Sequence, residues 1–323
     1  MPSNKAEGIP ALSVVVAIVS DTTGPADATH LAQCLEAFSN QLGDVPVELI
    51  VPHLEEVRGL EDVKQRFPHV NFLPVTGLSR ASAGGREHHD ILRAHGLLAA
   101  RGEYVTLVED HAKPDPMYCA NILSAHLKND AVIGGAIENS VDRPINWAVY
   151  FCDFGKYQNP VPEGDSPFAS DANVSYRRSM LDSVRQIWES SYREIIVNNF
   201  LRSRKVRVTL CPDIVVYQNR TDLTLGAALR ERFIWGRSFA DARNLQLSGP
   251  KRLVYALMSP ILPVMLTARI GITAWKRRRL FSHFLKSMPL IGLLQIGWSL
   301  GEGLGYLFGL GNSPLTDTAK RKV

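Results

Sequence analysis

The sequence has few cysteines and lacks the spacings with which cysteines hold metals or disulfide frameworks. The four are scattered along 323 residues without a C-x-x-C pair, at Cys34, Cys119, Cys152 and Cys211. This pattern argues against a zinc site or a disulfide-stapled fold and is typical of a reducing compartment. The sequence also lacks a G-x-G-x-x-G after a strand, a G-x-x-x-x-G-K-[ST] and a G-x-S-x-G elbow. Dinucleotide, P-loop and α/β-hydrolase chemistry therefore have no support.

The N-terminus and the overall charge exclude two further classes. The opening residues, MPSNKAEGIPAL, are polar and lack the apolar core of a signal peptide. The formal net charge of +4 is too small to argue for nucleic acid as a partner. We therefore expect residues 1–11 to be disordered, the following domain to face the cytoplasm, and no nucleic acid to bind.

Strand-like and helix-like segments alternate through the first third of the chain. Residues 12–19 read LSVVVAIV, a continuous apolar run typical of a parallel strand that is buried on both faces. Further strands are predicted at 47–51, 70–75 and 104–108, with helices at 28–42, 61–66 and 88–100. This alternation predicts an α/β fold, a mostly parallel sheet with flanking helices. Ligands bind such sheets at the carboxyl ends of the strands.

The middle of the chain is more mixed. Strands are predicted at 131–137, 206–210 and 214–217, a helix at 191–202, and a polar and aromatic segment at 171–178 that opens a helix near Ser179. His88 and His89 are adjacent on a predicted helix, where neighbouring side chains point in different directions. We expect both histidines at the surface.

Two apolar stretches, 253–275 and 288–310, follow from Leu253. Each is long enough to span a hydrocarbon core of ~30 Å at ~1.5 Å per residue, but Arg269 and Glu302 would each cost roughly 2.5–3.5 kcal/mol at mid-bilayer. A basic cluster at 276–279 suits anionic headgroups, or is a solvated basic loop. Residues 249–311 are therefore predicted to form membrane-associating helices, either interfacial, re-entrant or spanning, and otherwise a soluble apolar subdomain. A polar tail follows at 312–323.

The segment GEYVTLVEDHAKPDP, residues 102–116, delivers Glu109, Asp110 and His111 at the end of a predicted strand. Three ionisable side chains at a strand tip point to a polar crevice, and the prolines after them are expected to turn the chain away from the sheet. The alternative is a surface turn whose charges bind nothing.

Residues 93–116 resemble the family-two inverting glycosyltransferases, which have the GT-A nucleotide-sugar fold. The resemblance extends over roughly residues 12–240 and implies a GT-A domain at 12–248. The family's motif has Arg-Asn-x-Gly, Ala-x-Gly-Glu-Tyr, an apolar strand, Asp-x-Asp and a Pro. The residues at matching offsets are Arg93, Gly96, Ala100, Gly102, Glu103, Tyr104 and Pro114.

The resemblance implies a donor site built on these residues. The family's Asp-x-Asp becomes Glu109-Asp110-His111 here, which places Glu109 near the ribose and His111 on a divalent metal, with Asp110 as the alternative ligand. Histidine suits Mn²⁺ better than Mg²⁺. Ser20 and Asp21 would take part in base or ribose binding. Arg93 is expected near the base or diphosphate, unless it is a solvated helix charge.

Other matching positions imply the sugar and acceptor sites. In SDANVSYRR, residues 170–178, Asp171 and Asn173 would face the sugar, although Asn173 also suits a helix cap. In residues 228–243, Arg232, Trp235 and Arg237 would bind the diphosphate and the acceptor, or are helix charges beside a packed Trp.

An inverting transfer needs a base that removes the proton of the acceptor hydroxyl. By the family's spacing this base is Glu194, with Glu189 as the second candidate; alternatively both are exposed helix charges. The expected donor is a UDP-, GDP- or dTDP-sugar, and the expected acceptor a lipid-linked sugar or polysaccharide at the cytoplasmic face of the cell membrane.

Two other functions remain open on the sequence. A sugar-nucleotidyltransferase would carry a Gly-rich basic loop after the first strand, and residues 20–25 have no Lys or Arg. A catalytically inactive binding or scaffold protein is favoured by the altered metal motif and by the lack of acids at the end of the second strand.

Overall fold

The first strand shows why the sheet forms from continuous apolar runs. Strand β1, Leu12–Ala17, is buried along its whole length, and successive side chains of a strand point to opposite faces. Val14 and Val16 pack into one core with the helices Thr29–Ser39 and Tyr118–Lys128, whereas Val15 packs into a second core with the helix Glu87–Ala99. Because helices cover both faces of the sheet, the side chains that point to either face must be apolar.

The computed structural model describes residues 9–22, 24–79, 87–128, 132–162, 164–244 and 247–309. The expectations for residues 1–8, for position 131 and for the polar tail at 312–323 lie outside these ranges. The strands are β1 Leu12–Ala17, β2 Val47–His53, β3 Asn71–Pro74, β4 Tyr104–Glu109, β5 Ala112–Pro114, β6 Val132–Asn139, β7 Gly164–Asp165, β8 Asn173–Arg177 and β9 Val208–Gln218. The helices are α1 Thr29–Ser39, α2 Leu60–Arg66, α3 Glu87–Ala99, α4 Tyr118–Lys128, α5 Pro144–Asp153, α6 Arg178–Ser183, α7 Arg185–Trp188, α8 Glu194–Ser203, α9 Leu225–Asn244, α10 Gly249–Met258, α11 Leu262–Arg277 and α12 Phe281–Phe308.

The strands form one mixed sheet in the order β3-β2-β1-β4-β8-β6-β9-β5, with β7 paired to β9. Strands β3, β2, β1 and β4 are parallel, as are β6 and β9. Strand β8 lies antiparallel between β4 and β6. The predicted α/β fold is therefore confirmed, with the parallel strands followed by a mixed half. The strand order reverses between β1 and β4, where a ligand crevice is expected.

The segment described as polar and aromatic contains β8, whose side chains are buried because it lies in the middle of the sheet, and the helix expected near Ser179 is α6. Two local predictions are wrong. The two strands predicted at 206–210 and 214–217 are one strand, β9, which is interrupted by a register shift opposite Gly135. The prolines do not turn the chain away from the sheet, because Ala112–Pro114 pairs with β9 as an edge strand, a position that tolerates proline.

The last helix belongs to the folded body. Gly297, Gly301 and Gly305 recur every four residues, which places them on one face of α12, and that face lies against α9. A Cβ on Gly301 would come within 2.0 Å of the Phe233 carbonyl oxygen. Glu302 is buried and accepts hydrogen bonds from Trp298 Nε1 at 2.7 Å and the Tyr306 hydroxyl at 2.9 Å. Its charge is therefore held within the protein.

The segment before it is different. Within the described residues, Gly249–Arg277 is the one helical stretch that has the length and apolar composition to cross a membrane, and almost none of it is buried. It consists of α10, a short 3₁₀ turn and α11. Its exposed side chains include Leu257 and Val264.

Replacing Gly135 tests the packing of the register shift. A Cβ at this position would lie 2.1 Å from the Ile214 carbonyl oxygen and 2.3 Å from Asn173 Nδ2, so Gly135→Ala is expected to lower the free energy of unfolding by about 1–3 kcal/mol or more. Gly226→Ala is the control, since its Cβ meets nothing within 4 Å, and we expect it to be neutral or to stabilise by about 0.4–1 kcal/mol. Urea denaturation compares the two, and equal stability would contradict this packing.

Candidate functional site

A cleft opens where β1, β4 and β9 deliver their carboxyl ends to the same edge of the sheet. It collects polar side chains from segments that are distant in sequence. Among the residues that line it are Val19, His89, Arg93, Glu109, His111, Asp153, Tyr157, Asp171, Glu194, Gln218, Arg220, Glu231, Trp235 and Trp298. The predicted polar crevice at the tip of β4 is therefore present.

Glu109 and His111 form a buried ion pair in this cleft. His111 Nε2 lies 3.3 Å from Glu109 Oε2, which also accepts a hydrogen bond from Gln218 Nε2 at 3.2 Å. Burial alone would raise the pKa of Glu109, but the hydrogen bond and charge of His111 outweigh it and hold the pKa at about 2. Burial would lower the pKa of His111, whereas hydrogen bonds to Asp110 and Glu109 raise it to about 9. These three side chains are not an idle surface turn.

Asp110 points away from the cleft and fastens the end of β1. Its Oδ1 accepts a hydrogen bond from the Val19 backbone N–H at 3.1 Å and lies 3.3 Å from His111 Nδ1. Its Oδ2 accepts from the Ser20 hydroxyl. Ser20 and Asp110, both predicted to contact the donor, are thus bonded to each other, and neither lines the cleft.

Arg93 is buried among three carboxylates. Its NH2 group lies 3.0 Å from Asp171 Oδ2 and 3.6 Å from Glu109 Oε1, and its NH1 group lies 3.5 Å from Asp90 Oδ1. Only 1% of the side chain is exposed, so Arg93 is not a solvated helix charge. It joins α3 to the tip of β4 and to the segment before β8.

Asp21 is held by the two adjacent histidines. Its Oδ1 lies 2.9 Å from His88 Nε2 and 2.5 Å from His89 Nε2, and all three side chains are buried. The prediction that the histidines lie at the surface is wrong, because both rings turn towards the loop after β1. Burial lowers the pKa of His89 to about 4 despite its hydrogen bond to Asp21. Asp21 itself does not line the cleft.

The two candidate bases occupy different environments. Glu194 is the first residue of α8 and lines the cleft. Glu189 is exposed and pairs with Arg185 at 3.3 Å on the protein surface. The structure therefore brings Glu194 to Glu109, His111 and Asp171, and leaves Glu189 outside.

Asp171 and Asn173, two residues apart, have different roles. Asp171 lines the cleft and contacts Arg93. Asn173 lies within β8, where its Nδ2 donates to the carbonyl oxygens of Ala136 at 2.9 Å and Ile214 at 3.1 Å. Its Oδ1 accepts from the Tyr118 hydroxyl at 2.9 Å. Asn173 ties strands together and neither caps a helix nor lines the cleft.

Helix α9 contributes one predicted residue to the cleft. Trp235 lines it, together with Trp298 of α12. Arg232 is buried behind Trp235 and pairs with Asp153 at 2.5 Å. Arg237 donates a hydrogen bond from Nε to the Gly309 carbonyl oxygen at 2.8 Å. The last contact joins α9 to the end of α12, outside the cleft.

Sequence reasoning missed Arg220, Glu231 and Asp153. Arg220 lies just after β9 and donates to both oxygens of Glu231, at 2.8 and 2.6 Å. The signal for Arg220 was its place after a strand, because β9 is parallel to β6 and delivers its end to the same edge as β4. No motif in the sequence around Asp153 indicates a site. The residue reaches the cleft because α5 lies beside α12.

Comparison with known proteins gives distant likenesses only. No protein-family model and no curated protein matches the chain. Among solved structures, TarS 1-349 from S. aureus has 14% identity and a TM-score of 0.43, covering 88% of this chain and 90% of that one. TarS 1-349 in complex with UDP-GlcNAc has 13% identity and a TM-score of 0.44, covering 90% and 92%. The mannosyltransferase PcManGT from Pyrobaculum calidifontis, in complex with GDP-Man and Mn²⁺, has 14% identity and a TM-score of 0.48, covering 99% and 82%. With every one of these TM-scores below 0.5, the α/β assignment rests on the strand order.

Replacing Arg93 tests whether the cleft depends on its buried charge. Arg93→Met leaves three carboxylates without their cation, so we expect the free energy of unfolding to fall by about 3–5 kcal/mol. Arg185→Met is the control, since its pair with Glu189 is exposed and is worth at most about 1 kcal/mol. Chemical denaturation measures both, and an Arg93→Met chain as stable as the control would contradict the description of this cluster.

Proposed function

We propose that the chain is an inverting glycosyltransferase that moves a sugar from a nucleotide-diphosphate donor to an acceptor hydroxyl. One observation carries the proposal: Arg93, Glu109, His111, Asp171 and Glu194 meet around one cleft. They come from α3, β4, the segment before β8 and α8, and the resemblance in the sequence assigned each of them to the donor or the base. An unrelated set of charges would have no reason to converge at the point where the strand order reverses.

The residues at the tip of β4 fit a divalent metal. His111 Nε2 and Glu109 Oε2, 3.3 Å apart, would hold the ion, and an imidazole with a carboxylate suits Mn²⁺ better than Mg²⁺. When bound, the ion neutralises charge that develops on the departing diphosphate. Asp110 would support this site rather than bind the ion, because its oxygens accept hydrogen bonds from Val19 and Ser20 and its side chain does not line the cleft.

Arg93 and Asp171 set the shape of the donor side. The guanidinium of Arg93 is bound to Glu109 and Asp171, so it positions their carboxylates. Asp171 remains at the cleft wall, where a carboxylate can accept hydrogen bonds from sugar hydroxyls. Arg220, held in place by both oxygens of Glu231, also lines the cleft, and its remaining N–H groups are proposed to donate to the phosphates of a UDP-, GDP- or dTDP-sugar.

Glu194 is proposed as the base. A carboxylate within hydrogen-bond reach of the acceptor hydroxyl can take its proton as the oxygen attacks the anomeric carbon. Inversion requires that this attack come from the face opposite the leaving diphosphate. Glu194 reaches the cleft from α8, whereas Glu109 and His111 reach it from β4.

The acceptor is proposed to be a lipid-linked sugar or a polysaccharide at the cytoplasmic face of the membrane. Exposed apolar side chains on α10 and α11, among them Leu257 and Val264, accompany the basic cluster at 276–279. Within that cluster Arg277 and Arg279 are bonded to the folded body, which leaves Lys276 and Arg278 for anionic headgroups. A second cavity of about 480 Å³ lies between α5, α9, α11 and α12 and shares Asp153 and Trp298 with the cleft. We propose that a lipid-linked acceptor approaches the cleft from this cavity.

A binding protein without catalysis is the second candidate, since a histidine replaces the last acid of the metal motif. Such a protein would bind a donor without consuming it. A nucleotidyltransferase is disfavoured by the lack of a basic, glycine-rich loop after β1.

The two glutamates provide a matched test of catalysis. Glu194→Gln keeps the size of the side chain but removes the base, so we expect turnover to fall by about 10²–10⁴-fold with little change in donor affinity. Glu189→Gln should retain full turnover, because that residue lies outside the cleft. Product formation and donor binding are measured on the same preparations. Equal turnover by the two variants would refute the assignment of the base, and absence of turnover in the unmodified chain would favour the binding protein.

Membrane attachment is tested by surface substitutions, because truncation before α10 would also remove α12 and uncover α9. Leu257→Glu combined with Val264→Glu should weaken co-sedimentation with anionic vesicles at least about tenfold, since each leucine-sized side chain contributes about 1.5–3 kcal/mol when buried. Leu127→Glu, on the exposed face of α4, should bind vesicles like the unmodified chain. Equal binding by both variants would exclude this face as the membrane contact.

A further inference from the structure

The cluster of Asp21, His88 and His89 has no part in the function proposed above. Asp21 follows β1, and the two histidines occupy the first turn of α3. Their side chains are 4%, 1% and 2% exposed. Three ionisable groups are thus removed from water together, at the edge of the sheet where the strands end.

The two imidazoles converge on one carboxylate oxygen. Their Nε2 atoms lie 2.9 and 2.5 Å from Asp21 Oδ1, and the ring centroids are 4.0 Å apart. One ligand atom from each residue lies within 4.8 Å of the others. Adjacent residues on a helix do not normally face the same point. The convergence is therefore a specific feature of this turn and not a consequence of helix geometry.

The hydrogen bonds of the cluster are incomplete within the described part of the chain. Nδ1 of His88 is buried and has no hydrogen-bond partner there. Both Nε2 atoms are directed at the same carboxylate oxygen, an arrangement in which two imidazoles and one carboxylate can share an ion.

We propose that Asp21, His88 and His89 bind a divalent transition-metal ion, separate from the ion at Glu109 and His111. Two imidazole nitrogens and one carboxylate oxygen form a ligand set that suits Zn²⁺, Mn²⁺ or Co²⁺ and is poorly suited to Ca²⁺ or Mg²⁺. Bonds of about 2.0–2.2 Å place neighbouring ligand atoms roughly 3–3.5 Å apart. Small outward movements of the two rings would make room for the ion.

The position of the ion gives it a structural and a functional role. It fastens the loop after β1 to α3, and Arg93 lies one turn further along the same helix. His89 also lines the cleft, so the ion lies at the cleft wall. Three protein ligands leave a coordination position open, as in metal sites that bind a substrate or water.

Cobalt(II) is the probe for this site, because its visible absorption bands report a nitrogen and oxygen ligand set directly. The full chain, without any donor, is titrated with Co²⁺ while absorbance and bound metal are measured. His88→Gln and His89→Gln are expected to lose one bound equivalent and its absorption. His126→Gln is the matched control, since His126 is equally buried but bonds Ser175 on the other side of the sheet. It should bind Co²⁺ like the unmodified chain.

Two further variants keep the proposal testable if the glutamine variants unfold. Asp21→Asn preserves the size of the side chain and should weaken Co²⁺ binding at least tenfold. His111→Gln removes a ligand of the other proposed metal site only. It should therefore retain the Co²⁺ absorption that is assigned to Asp21, His88 and His89. The proposal is overturned if Asp21→Asn binds Co²⁺ as tightly as the unmodified chain, or if the absorption disappears only in His111→Gln. The measurement involves no nucleotide sugar, so its outcome is independent of the donor.

Discussion

The burial of one guanidinium among three carboxylates is the constraint on which the candidate site depends. Arg93 can be removed from water only if Asp90, Glu109 and Asp171 accompany it. These residues come from α3, β4 and the segment before β8, so the charge fixes three parts of the fold relative to one another. The carboxylates that face the cleft are held in place before any ligand arrives, which is the condition for binding a charged donor without reorganisation.

Asp110 is a second buried charged side chain that fixes neighbouring segments, at the other side of the tip of β4. Its oxygens hold the end of β1 through Val19 and Ser20, so the residue in the middle of the motif supports the fold, while Glu109 and His111 face the cleft. Asp110 and His111 lie in the turn between β4 and β5, where Asp110 bonds back to the segment after β1. The glycine face of α12 packs against α9, so that Trp298 of α12 and Trp235 of α9 both line the cleft.

Periodicity predicted the parallel half of the sheet because β1 and β4 are buried on both faces and read as continuous apolar runs. The same rule failed for β8, whose sequence NVSYR carries polar side chains that are paired inside the sheet. The strand pattern predicted a crevice at Glu109 and His111, and the family resemblance singled out Glu194; all three side chains line the cleft. Local spacing could not distinguish Asn173 from Asp171, or reveal that His88 and His89 turn to Asp21, because those outcomes depend on contacts between segments far apart in sequence. Arg220 and Asp153 required the strand order and the packing of α12.

The most direct test of the central claim is the binding of nucleotide sugars with and without metal. Calorimetric titration of the full chain with UDP-, GDP- and dTDP-sugars should show binding of one class that requires Mn²⁺. His111→Ala should weaken that binding by about 100-fold, because loss of the imidazole would remove one of the two side chains proposed to hold the ion. If no donor binds in the presence of Mn²⁺, or if His111→Ala binds its donor as tightly as the unmodified chain, the account of this cleft is wrong.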